Sequence, residues 1–71
     1  MNDFKKTIDN IVFNFKSIQE RGDDVFLITV ESHSFRMICD DDGEWYIWQQ
    51  VPAWIKNMEE SLSEAIEEQY A

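Results

Sequence analysis

Between Val25 and Cys39 the apolar positions recur at every second residue. Phe26, Ile28 and Val30 form one set, and Phe35, Met37 and Cys39 form another. Alternation of this kind puts one face of a strand against a core. Val25–Val30 and Phe35–Cys39 are therefore predicted strands, separated by the turn residues Glu31-Ser32-His33-Ser34. A two-residue loop at Ser32-His33 pairs Val30 with Phe35, Ile28 with Met37 and Phe26 with Cys39. All six then share one wholly apolar face. Val25, Leu27, Thr29, Glu31, Ser34, Arg36, Ile38 and Asp40 take the other, which is mixed, as expected of a sheet covered on one side.

Trp45 to Gln50 is the next strand, reached through Asp40-Asp41-Asp42-Gly43. Here the loop length decides the faces. A two-residue loop sends Tyr46 and Trp48 to the core, whereas a three-residue loop with a glycine bulge sends Trp45 and Ile47 there. In both cases large apolar groups remain on the second face.

Pro52 then starts a helix, since proline is favoured in the first turn. Ile55, Met58, Leu62, Ala65, Ile66 and Gln69 follow a three-four spacing and make one stripe. Glu59, Glu60, Glu64, Glu67 and Glu68 occupy the rest, and no base follows Lys56. Glu67 and Glu68 lie at the end where the helix dipole disfavours them, so this helix depends on tertiary packing.

The first twenty residues carry two periods at once. Phe4, Ile8, Ile11, Phe15 and Ile18 have helical spacing, while Ile11, Phe13 and Phe15 alternate with Val12, Asn14 and Lys16. Thr7 to Asn14 are mediocre helix formers, and Asp9-Asn10 can make a tight turn. A hairpin of about Phe4–Ile8 and Ile11–Ile18 is expected. The fold class is thus α+β: a small antiparallel β-meander of three to five strands with one C-terminal α-helix packed on one face, residues 1–71 forming a single domain. The alternative is an N-terminal helix, a three-stranded meander and a C-terminal helix.

Composition narrows the function classes. Hydrophobic residues are 44% of the chain and aromatics 14%, which argues against disorder. The net charge is −9. Residues 1–39 carry six acids against five bases, and residues 40–71 carry nine acids against one. Such a chain repels nucleic acid and anionic membrane, so neither is an expected direct partner. Cys39 is the only cysteine, which fits a reducing cytoplasm.

Little in the sequence carries chemistry. Calcium loops space their carboxylates at alternating positions and close with a distant glutamate; Asp40-Asp41-Asp42-Gly43 does neither and reads as a turn. His33 has no fixed partner, and Cys39 in the register above faces the core, so no dyad forms. Gly22 and Gly43 alone make no phosphate loop. No catalytic, cofactor-binding or metal-ligating residue is assigned, and no enzyme activity is expected.

Two features remain for a partner. One is the aromatic set Trp45, Tyr46 and Trp48, of which the helix can cover only half; exposed aromatics of this kind anchor protein contacts. The other is the carboxylate row Glu60, Glu64 and Glu67. The expectation is a small acidic cytoplasmic protein–protein interaction module, with homodimerisation through the aromatic second face or an edge strand as one mode. The alternative is an acidic nucleic-acid mimic that inhibits a basic nucleic-acid-binding protein.

Overall fold

The computed structural model of the protein describes residues 3–70. Turn chemistry decides its first half. Asp9 and Asn10 have φ of 52° and 64°, and Arg21 and Gly22 have φ of 53° and 83°. Two consecutive positive φ values are what a two-residue type I′ hairpin loop requires. The loops join β1 (Phe4–Ile8) to β2 (Ile11–Glu20) and β2 to β3 (Asp23–Val30). β4 (His33–Cys39) and β5 (Trp45–Ile47) complete a curled five-stranded antiparallel sheet in the order β1-β2-β3-β4-β5. The N-terminal segment is thus a hairpin and not a helix, with Ile8 opposite Ile11 and Phe4 opposite Phe15.

The β3–β4 pairing differs from the sequence expectation. Val30 lies opposite His33, Ile28 opposite Phe35 and Phe26 opposite Met37. The loop residues are Glu31 and Ser32, and a φ of 53° at Glu31 closes the chain one residue earlier than expected. The pairing therefore moves by two positions, which preserves the faces. Phe26, Ile28, Val30, Phe35 and Met37 are all buried. Cys39 shares their side of the strand but is exposed, at the C-terminal end of β4.

The β4–β5 connection resolves the tryptophans. Asp40 N donates to Glu44 O at 2.8 Å, and Gly43 N donates to Asp40 O at 3.0 Å. Three residues remain in the loop, with Gly43 at φ 83° in the left-handed position. The Asp40 carboxylate accepts from the N–H groups of Asp42 and Glu44, both at 2.9 Å. Of the two loop lengths open in the sequence, the glycine-bulge loop is the one adopted. Trp45 and Ile47 accordingly face the core, and Tyr46 and Trp48 face out.

The core is a layer between this sheet and the C-terminal helix. Phe4 stacks on Phe15 with centroids 4.3 Å apart, Phe15 meets Phe26 edge-on, and Phe26 meets Trp45 at 5.3 Å. An aromatic line thus runs from the β1 edge to the β5 edge. Such pairs contribute about 0.5–1.5 kcal/mol each beyond area burial.

Pro52 sits one residue before the helix, as its cap, with ψ 150°. Its carbonyl accepts from Ile55 and Lys56 N–H. α1 (Ala53–Lys56) and α2 (Glu59–Tyr70) are separated by a tightened turn in which Met58 N donates to Ile55 O. The stripe survives this interruption: Ile55, Met58, Leu62, Ala65 and Ile66 are buried, while Gln69 is exposed. No helix of the described residues is long and apolar enough to cross a membrane.

Candidate functional site

Two grooves flank β5. The first lies between β5, the Asp40–Glu44 loop and α2, and has a volume of about 430 Å³. Its walls are Asp40 and Glu44 on one side and Glu59, Glu60, Ser63, Glu64 and Glu67 on the other, with Trp45 and Tyr46 between them. Six of these nine residues are acidic and none is basic; Lys56 offsets Glu59 alone, so the groove keeps a net negative field. Low-dielectric walls on either side focus such a field.

The local structure explains why the carboxylates converge. Glu60, Glu64 and Glu67 follow helical spacing on the side of α2 next to β5. The Asp40 side chain, accepting two loop N–H groups, holds the loop and carries Glu44 to the opposite wall. Among the described residues no base forms an ion pair with Glu44, Glu60, Glu64 or Glu67.

Glu59 has a different role. Its Oε2 accepts the backbone N–H of Ile47 at 2.8 Å, and Lys56 Nζ reaches both of its oxygens at 3.0 and 3.1 Å. Partial burial pushes its carboxyl up, but the Ile47 hydrogen bond and the Lys56 ammonium outweigh this and hold it below the usual glutamate range. Glu59 therefore fastens the helix to the sheet edge and leaves ligand binding to its neighbours.

The second groove, about 620 Å³, lies on the outer face of the sheet and is lined by Val25, Ile38, Arg36, Glu20 and Trp48, among others. Arg36 Nε donates to Glu20 across it. Trp48 is 60% exposed, yet its backbone is fixed by donation to Arg36 O at 3.0 Å. Gln49 extends that attachment, its side chain accepting from Arg36 N and donating to Ser34 O. Here an amide side chain continues the ladder where the strand itself has ended.

The structure divides the residues that the sequence singles out. Tyr46, Glu60, Glu64 and Glu67 gather in the acidic groove, Trp48 stands in the outer groove, and Trp45, 8% exposed, is core between them. Asp40 and Glu44 complete the acidic groove. Their acidity is legible in the sequence, but their placement opposite α2 depends on the loop bulge. His33 packs edge-on against Trp54 at 5.9 Å. Burial raises the Cys39 thiol, and Asp40 and Glu67 raise it further, so the thiolate is disfavoured. No group of three or more His, Cys, Asp or Glu among the described residues is placed to hold a metal ion.

Comparison with family models, curated proteins and solved structures found no match.

Proposed function

We propose that this chain is a small acidic protein–protein interaction module that receives a basic segment of a protein partner in the groove between β5 and α2. The observation that carries this reading is the convergence of Asp40, Glu44, Glu60, Glu64 and Glu67 around Tyr46 with no base among the lining residues. Lysine or arginine side chains would neutralise the carboxylates, and Tyr46 offers a ring face for a cation. The role is non-catalytic, and the single free thiol suits the cytoplasm.

A second reading is favoured by the spacing along α2. Glu60 and Glu67 are seven residue steps apart, or about 10 Å of helix at 1.5 Å per residue. The three carboxylates stand about 5 Å apart along the axis, roughly two-thirds of the charge density of one DNA strand, which carries a phosphate about every 3.4 Å. A basic nucleic-acid-binding protein is then the partner, and the module inhibits it by mimicry.

Parallel captures from source cells test the first reading. One uses the wild type, one Glu60→Gln/Glu64→Gln/Glu67→Gln, and one Asp9→Asn/Asp23→Asn/Glu31→Gln, which removes equal charge elsewhere. A basic protein retained by the wild type and the third protein, but lost by the second, supports the groove. Equal loss in both variants contradicts it. Displacement of that partner by duplex DNA or RNA supports mimicry.

A further inference from the structure

The two edges of the sheet end differently. At β5 the outward N–H of Ile47 is taken by Glu59. β1 pairs with β2 alone, and α2 reaches it through Glu68, whose Oε2 stands 3.5 Å from Lys6 Nζ.

The Asp9-Asn10 loop fixes what β1 offers outward. A two-residue loop makes the flanking Ile8 and Ile11 a hydrogen-bonded pair. Alternation then turns the N–H and C=O groups of Phe4 and Lys6 towards β2, and those of Lys5 and Thr7 away from it. Lys5 and Thr7 are exposed, and their backbone groups form no other hydrogen bond among the described residues. In its backbone β1 is therefore an open template for a further strand.

Its side chains follow the same alternation. Phe4, Lys6 and Ile8 share the inner side, where Phe4 and Ile8 pack against the core. Lys6 lies opposite Phe13, which is fully buried. A base thus stands at the centre of an otherwise apolar set. Its pair with Glu68 contributes little to stability, because the two side chains are 42% and 63% exposed. The fold alone does not account for a lysine at this position.

We propose that Lys6 guards the β1 edge: its charge keeps β1 from pairing with β1 of a second copy. Register gives the reason. The antiparallel pairing that uses all five residues of β1 sets Phe4 opposite Ile8 of the second copy, and Lys5 opposite Thr7. Lys5 and Thr7 then exchange their outward backbone hydrogen bonds, and the apolar residues meet on one face. Lys6 alone falls opposite itself across the two-fold axis. That position is not hydrogen-bonded, so the facing side chains stand closest there. Like charges directly opposite each other destabilise a strand pair. An inward-pointing charge on an edge strand blocks pairing in this way. Glu59 closes the β5 edge, so pairing released at β1 stops at two subunits and does not grow into a fibre. The acidic groove takes no part in this guard.

Sedimentation equilibrium at rising concentration, in about 0.15 M salt to screen the net charge, tests the proposal. Each variant is read against the wild type, so association through another face cancels. Lys6→Val should move the mass from 8.5 kDa towards twice that value. It should do so at concentrations about tenfold or more below any at which the wild type associates, the order expected from exchanging a like-charge pair for a β-branched one. Lys5→Val removes the same charge from the outer side of the same strand and should behave as the wild type. Adding Thr7→Pro to Lys6→Val should reverse the association, because proline deletes an N–H that only a new strand would use. Amide hydrogen exchange gives a readout that needs no proline variant: in associated Lys6→Val the Lys5 and Thr7 amides should become protected. A Lys6→Val protein with the mass of the wild type overturns the proposal. So does association that leaves the Lys5 and Thr7 amides unprotected, or a Lys5→Val protein that associates as readily. Protection of those two amides in the wild type as concentration rises overturns it as well.

Discussion

The backbone N–H of Ile47 donates to the carboxylate of Glu59 at 2.8 Å, joining the free edge of β5 to the first turn of α2. An unpaired strand edge invites pairing with other chains, and a helix that covers it removes that template. The same contact fixes one wall of the acidic groove against its floor. Fold stability and the shape of the site therefore share a residue.

Glu59→Ala should lower stability by about 1–2 kcal/mol, the range for a hydrogen bond to a charged group with partial solvent access. Glu59→Gln, which keeps an acceptor, should lose less. Because the folded-state pKa of Glu59 lies below its unfolded value, its contribution is present above the unfolded pKa and is lost as pH falls through the folded one. Wild-type stability should therefore decline on acidification through the carboxylate range, more steeply than that of Glu59→Gln. Urea titrations at several pH values check both; parallel pH profiles contradict the assignment.

Leu62 is fully buried and central to the helix stripe. Leu62→Ala should cost about 2–5 kcal/mol, the range for a core leucine that leaves a cavity. In a domain this small that is a large part of total stability. Thermal denaturation should show either a much lower midpoint or no folded state, and an unchanged midpoint would place α2 outside the core.

Turns set the faces of the sheet, and two substitutions separate their effects. Gly43 has φ 83°, and nothing lies within 4 Å of an added Cβ. Gly43→Ala should cost about 1 kcal/mol from the left-handed backbone alone. Glu31, at φ 53°, pays that strain already. Glu31→Gly should accordingly be neutral or stabilising by up to about 1 kcal/mol. Chemical denaturation of the two variants should move in opposite directions.

These turns also mark the limit of what the sequence discloses. Alternation places Phe26, Ile28, Val30, Phe35 and Met37 on one face, and they are buried together. The two-residue period survives even though the β3–β4 loop closes one residue early, since the pairing moved by an even number. The N-terminal hairpin was legible because Asp9-Asn10 tolerates two positive φ values, which a helix does not use. Trp45 and Trp48 could not be separated without the hydrogen bonds of the Asp40–Glu44 loop. The carboxylate row of α2 was visible as periodicity. Its opposite wall was not, because Glu44 reaches it only through that loop, and Glu59 leaves the binding set only through a tertiary bond.

The most direct test of the central claim is an amide NMR titration of the full chain with an arginine-rich peptide at about 0.15 M salt, where the Debye length of about 8 Å screens diffuse attraction. Shifts should concentrate on Tyr46, Ser63, Glu64 and Glu67 and saturate, and Glu60→Gln/Glu64→Gln/Glu67→Gln should abolish saturation. Shifts spread evenly over Asp9, Asp23, Glu31 and Asp41, surviving in that variant, would contradict a docking groove between β5 and α2.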